Sequence, residues 1–102
     1  MSVTIGPYVS TEIPEPLSYT YLDSDGVAID LTGFTATFHL KIGDAEAVDL
    51  LATVTDPTGG TVTHTWLVDE LTAGALRAEF FVDNGTNRYA SELFTGIIRP
   101  PV

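Results

Sequence analysis

The sequence predicts an all-β fold, an antiparallel β-sandwich of about seven short strands with at most one short helical turn. Apolar and polar residues alternate in each extended segment, whereas a helix would place its apolar residues three and four positions apart. Turn signals built from Gly, Pro, Asn and Asp separate these segments at spacings of roughly ten residues. Short alternating strands joined by regular turns are typical of a sandwich.

The clearest strand follows the turn Asp30–Gly33. From Phe34 to Ile42 the large or apolar residues occupy every second position, and threonine, histidine or lysine lies between them. Threonine favours strands because its branched β-carbon packs well on a pleated surface. With the same alternation applied to the other segments, we expect a core containing Phe34, Phe38, Leu40, Val54, Trp66, Leu76, Phe80 and Val82.

Five further segments alternate in the same way: Leu17–Leu22, Ala47–Thr55, Thr61–Leu67, Leu76–Val82 and Arg88–Ile98. The turns between them include Asp23–Gly26, Asp56–Gly60 and the Asn84-Gly85 pair, and Asn-Gly is a strong hairpin signal. Val68–Thr72 is the one segment that could form a helical turn. We therefore expect residues 17–102 to form a single sandwich domain.

Residues 1–16 differ from the rest of the chain because they carry three prolines, Pro7, Pro14 and Pro16. Proline lacks a backbone donor, so this segment is expected to be an extended arm or an edge strand. Its apolar side chains are Val3, Ile5, Tyr8, Val9 and Ile13. They are candidate interface residues if the arm docks on another protein. The alternative is that the arm folds back onto the chain's own sheet as a first strand.

The composition limits the possible functions. A chain of 102 residues is one domain, and its 4 Lys and Arg against 14 Asp and Glu give a formal net charge of -10. That charge repels phosphate groups, so we expect no binding to nucleic acid or to an anionic membrane. There are no cysteines, which removes disulfides, thiolate metal sites and cysteine nucleophiles. Neither a signal peptide nor a membrane span is apparent, so synthesis in a cytoplasm is expected.

Three carboxylates, those of Asp23, Asp25 and Asp30, are weak candidates for a calcium site because calcium prefers hard oxygen ligands. Their spacing does not fit the helix-loop-helix calcium motif, and Asp and Gly are common in plain turns, so a turn is the favoured interpretation.

The histidines and the remaining acidic pair give no catalytic pattern. His39 and His64 lie on separate strands with no evident partner, and we interpret His64, which shares a face with Trp66, as a packing residue. Asp69 and Glu70 are adjacent in the segment that could be helical, where a solvated cap is expected. The sequence predicts a non-enzymatic protein that requires no cofactor.

Several segments together resemble a known family: residues 16–26 (PLSYTYLDSDG), 27–38 (VAIDLTGFTATF), 52–62 (ATVTDPTGGTV), Trp66 and residues 74–80 (GALRAEF). The chain resembles, over residues 16–98, the immunoglobulin-like domain at the N-terminus of the tailed-phage baseplate upper protein family. The same module occurs in other small phage virion proteins.

The resemblance implies an immunoglobulin-like sandwich and a structural role in a phage virion. The chain would be a small adaptor or decoration subunit on the tail, the baseplate or the head, made in the host cytoplasm. Its partners would be capsid, tail or baseplate proteins and further copies of itself in a multicopy assembly. The alternative is a calcium-dependent or carbohydrate-binding sandwich module.

Overall fold

The computed structural model describes residues 2–10, 12–67 and 70–100, and within these ranges the chain forms eight strands and no helix. The strands are β1 (Ser2–Val9), β2 (Leu17–Thr20), β3 (Thr35–Ile42), β4 (Val48–Asp56), β5 (Thr61–His64), β6 (Gly74–Asp83), β7 (Arg88–Ala90) and β8 (Leu93–Arg99). The all-β prediction is confirmed. Of the expected helical turn, Val68 and Asp69 lie outside the described residues, and residues 70–72 are not helical.

The strands pair in the order β1-β8-β6-β3-β4-β5-β2, and β7 adds to β6. Each described pair is antiparallel except β1 with β8, which run parallel, so the sheet is mixed and not purely antiparallel as expected. Two parallel strands need a long connection between them, and here nearly the whole chain separates β1 from β8.

The strand number also exceeds the expected seven. The segment predicted as one strand, Arg88–Ile98, is divided at Ser91 into β7 and β8. The Ser91 hydroxyl accepts a hydrogen bond from the Phe80 N–H at 2.8 Å, while the Ser91 N–H donates to the Phe80 carbonyl at 2.9 Å. One serine therefore occupies both backbone groups of Phe80, and the chain leaves the ladder there before β8 begins.

The sheet curls into a half-barrel because β4 is shared between two sets of partners. Its first half, up to Ala52, pairs with β3, whereas its second half, from Thr53, pairs with β5. The register with β5 shifts between Val54 and Asp56. A strand that changes partners along its length turns the sheet through a corner and gives it a concave and a convex side.

The core lies on the concave side. Phe38 of β3 is fully buried, and its ring centroid lies 4.9 Å from that of Phe80 and 4.3 Å from that of His64. Six of the expected core residues are buried: Phe38, Leu40, Trp66, Leu76, Phe80 and Val82. Phe34 and Val54 are only half-buried, since Phe34 precedes β3 and stacks on Tyr89, and Val54 lies at the corner of the sheet.

Candidate functional site

The candidate calcium ligands Asp23 and Asp25 lie in one turn. An Asp23 carboxylate oxygen, Oδ1, accepts hydrogen bonds from the backbone N–H groups of Asp25 at 2.9 Å and Val27 at 3.0 Å. These bonds fix the turn that returns the chain to the bridge between Leu22 and Ala28. The chemistry observed for Asp23 is that of a turn cap.

The third candidate, Asp30, caps a separate turn. Its Oδ1 accepts from the Thr32 hydroxyl at 2.6 Å and from the Thr32 N–H at 2.9 Å. These two hydrogen bonds from Thr32 stabilise the charged form and hold the pKa of the Asp30 carboxyl below its usual value. Within the described ranges no three acidic or histidine side chains are grouped as metal ligands would be.

The N-terminal candidate interface residues fall mostly on β1, which lies at one edge of the sheet. Val3, Ile5 and Tyr8 pack against the core, and Val9 is half-buried at the end of the strand. Ile13 lies beyond β1 and is 57% exposed. The segment thus forms a first strand within its own chain in this structure, and among the five candidate interface residues Ile13 is the exposed one.

A glycine on β8 permits the close approach of β1. A β-carbon added at Gly96 would lie 2.5 Å from the carbonyl oxygen of Ile5, closer than real β-carbons come. Gly96 and Ile5 are also register partners in the parallel pair. The absence of a side chain at this position is therefore a condition for the pairing of β1 with β8.

His39 and Asp49 form an exposed pair on the convex side of the sheet. They face each other across β3 and β4, with 2.6 Å between His39 Nδ1 and Asp49 Oδ1. Both side chains are solvent-accessible, so the pair contributes little to stability. The sequence did contain the signal for this contact, because a hairpin between the expected strands 34–42 and 47–55 that turns at Asp44 places residue 39 opposite residue 49.

The second histidine, His64, is buried and has two partners. Its Nδ1 lies 2.9 Å from the Leu51 carbonyl oxygen, and its Nε2 lies 2.7 Å from Glu70 Oε1. The His64 side chain is 2% exposed and that of Glu70 is 11% exposed. The expectation of a solvated cap is therefore wrong for Glu70, because the chain after β5 turns this carboxyl inward onto the imidazole. Asp69 lies outside the described residues.

The two contacts of His64 each require one proton. A carbonyl oxygen only accepts, so Nδ1 carries a proton and donates it to Leu51. The contact between Nε2 and Glu70 then needs a second proton, which resides on the imidazolium or on the carboxyl group. His64 also stacks on Phe38 at 4.3 Å and meets Trp66 edge-on at 5.0 Å. Both ring nitrogens are thus engaged inside the core, and the pair holds the segment after β5 against β4.

Aromatic side chains are concentrated on the concave side. Of the one Trp, four Tyr and five Phe in the chain, nine belong to the core or pack against it. The exception is Phe81, which projects from the convex side of β6 beneath the Arg88 guanidinium, 4.8 Å from the ring centroid. The Tyr21 hydroxyl donates to the Phe80 carbonyl at 3.0 Å, and burial raises the pKa of this phenol above its usual range.

Comparison with known proteins does not place the chain in a family. No protein-family model matches the sequence, and a search among curated proteins returned no relative. The described ranges also hold no helix long and apolar enough to cross a membrane.

Proposed function

We propose that this protein is a non-enzymatic structural component of a tailed-phage virion, built on an immunoglobulin-like sandwich. It would serve as a small adaptor or decoration subunit on the tail, the baseplate or the head surface. The proposal is supported by the resemblance over residues 16–98. The segments that carry this resemblance include β2, much of β3 and β6, and the β4-β5 turn.

The observation that carries the proposal is how side chains and strand edges are distributed between the inside and the outside of the half-barrel. Nine aromatic side chains and the His64–Glu70 pair are committed to the core. The outside presents strand edges, among them those of β1 and β2, and the broad convex side of the sheet. Edges and broad faces are the features through which small β domains contact other proteins.

The edge at β1 is the stronger candidate for contact with another virion protein. β1 pairs on one side with β8, so the other side of residues 2–5 presents backbone donors and acceptors to a partner strand. Further along β1 the register shifts, Pro7 has no N–H and the Val9 N–H donates to Glu12 Oε1. Ile13 follows this edge and is 57% exposed. A partner that covers both would bury apolar area and complete the ladder.

The rival function, a calcium-dependent or carbohydrate-binding module, is less well supported. Sugar-binding sites stack their ligands on exposed aromatic rings, whereas the outward ring, Phe81, is covered by Arg88. Calcium added during thermal melting discriminates between the two functions, since binding to the native state raises the melting temperature. A rise in the wild type at micromolar calcium that is absent in Asp23→Ala would favour the rival.

Incorporation into particles tests the proposed role. The chain, carrying an affinity tag, is produced in cells that assemble the phage encoding it, and its amount in purified particles is measured by mass spectrometry. We expect the wild type in the particles, strong loss for Ile13→Asp, and little loss for Val27→Asp, a matched control that is 60% exposed in another loop. Absence of the wild-type chain from purified particles would contradict the virion role. Equal incorporation of all three chains would contradict the contact at the β1 edge.

A further inference from the structure

Positive charge is confined to one surface of this acidic protein. Its four cationic residues, Lys41, Arg77, Arg88 and Arg99, occupy outward strand positions on the convex side of β3, β6, β7 and β8. Three carboxylates, Asp49, Glu79 and Asp83, project from the same side. We call this surface the balanced face; it comprises these seven side chains with Leu51, Phe81 and Ile97, and its formal net charge is +1.

The other acidic residues do not occupy the strand positions that form the balanced face. Of the 14 Asp and Glu, three are on the face, Asp69 falls outside the described residues, and the other ten lie in connections or at the end of β4. No lysine or arginine accompanies these ten. Two copies of the protein therefore repel each other through their remaining described surface, and the balanced face is where this repulsion is weakest.

Within the described ranges, no lysine or arginine of the balanced face forms a salt bridge. The salt bridges in the described ranges both involve histidine, His39 with Asp49 and His64 with Glu70. Lys41 and Arg77 are register partners on neighbouring strands, and like charges placed opposite each other destabilise a sheet. Carboxylates supplied by a second surface would relieve the repulsion between Lys41 and Arg77.

The same face also exposes apolar area. Leu51 on β4 is 84% exposed and Ile97 on β8 is 60% exposed, with Phe81 between them on β6. Four strands spaced about 4.8 Å apart and about eight residues long cover roughly 500 Å². Because both faces are convex, two of them bury at most roughly 1,000 Å², which lies at the lower limit of specific interfaces and corresponds to a weak dimer.

We propose that the balanced face packs against the same face of a second copy about a two-fold axis. Arg77 and Lys41 of each copy then meet Glu79 and Asp49 of the other, and the strongly acidic surfaces point away from the interface. In an interface between identical surfaces, each surface must supply both the positive and the negative groups of the contacts, and the balanced face carries both. This inference rests on the proposed virion role, and it names the surface through which two copies of the chain meet.

Charge reversal in the full-length chain tests the interface by sedimentation analysis. Arg77→Glu places like charges against Glu79 of the second copy, and Glu79→Lys places like charges against Arg77, so each variant alone should weaken dimerisation about tenfold or more. An equimolar mixture of the two variants restores opposite charges at both contacts, and its association should return to near the wild-type level. Both positions lie on the surface, so we expect each variant to fold. An unchanged melting temperature of each variant confirms this.

Three results would overturn the proposed dimer. One is a wild-type chain that stays monomeric at high concentration, and a second is a mixture that associates no better than its components. The third is Glu79→Lys strengthening association, which would indicate that an acidic surface elsewhere on the second copy is the contact. Particle incorporation is measured separately: an incorporated chain that does not dimerise contradicts this inference alone, and a dimer absent from particles contradicts the virion role alone.

Discussion

β3 and β1 are both eight residues long, yet they hold opposite positions in the sheet. β3 lies between β4 and β6, pairs on both sides and buries Phe38 completely. β1 has one neighbour, and the side chains that it turns toward the core, such as Ile5, are only half-buried. The comparison indicates that the fold depends on β3, whereas β1 is a strand that can separate without loss of the core.

The largest expected effect is that of Phe38→Ala in β3, and the matching substitution in β1 is Ile5→Ala. Phe38→Ala removes a ring that contacts Phe80 and His64 and should lower the free energy of unfolding by about 3–5 kcal/mol. Ile5→Ala removes a half-buried side chain and should cost no more than about half as much. Urea unfolding measures both values, and equal costs would contradict the difference between the strands.

A smaller effect is expected at the buried pair that supports Phe38. Glu70→Ala leaves His64 Nε2 without a partner and should cost about 1–3 kcal/mol. Glu70→Gln should cost less, because its amide N–H can donate to Nε2 of the neutral imidazole. Thermal melting of the two variants distinguishes loss of the hydrogen bond from loss of charge. Melting temperatures of both variants equal to that of the wild type would show that this bond does not stabilise the core.

On the β1 side, Gly96→Ala should separate the strand from the sheet. The added methyl group meets the Ile5 carbonyl oxygen, and crowding of this kind costs about 1–3 kcal/mol. Because β8 also pairs with β6, the core should stay folded while β1 becomes susceptible to proteolysis. Limited proteolysis with mass spectrometry measures this, and an uncut N-terminus would show that the backbone accommodates the methyl group with β1 in place.

The smallest effect is expected for Tyr21→Phe. This substitution removes the hydrogen bond to the carbonyl of Phe80, which lies on β6 opposite Phe38 of β3. The Ser91 N–H still satisfies that carbonyl, so the cost should be about 1 kcal/mol. Burial raises the pKa of the Tyr21 phenol, so the folded chain keeps the proton above pH ~10, where the unfolded chain loses it.

The stability linked to this proton is therefore complete below pH ~10 and is lost as the pH rises further. Burial, followed by the nearby Glu12 carboxylate, also raises the pKa of Tyr8. Tyr21→Phe should therefore reduce the alkaline loss of stability without abolishing it, as measured by melting between pH 8 and 11. An unchanged alkaline slope would show that Tyr21 ionises as readily in the folded chain as in the unfolded one.

The two strands also differ in what the sequence could predict. The alternation within β3 is local, so its phase and the burial of Phe38 followed from the sequence. The parallel partner of β1 depends on β8 at the far end of the chain, and no local pattern in residues 1–16 specifies that partner. The contact between His64 and Glu70 was missed for the same reason, because Glu70 lies outside the strands and no local pattern specifies that its carboxyl returns to the core.

Hydrogen exchange of the backbone amides measures the difference between β3 and β1 most directly. We expect the β3 amides to exchange only through global unfolding, and the β1 amides that bond to β8 to exchange much faster through local opening but slower than an unstructured peptide. Protection of β1 equal to that of β3 would contradict a separable strand. No protection in β1 would contradict its pairing with β8 in the isolated chain.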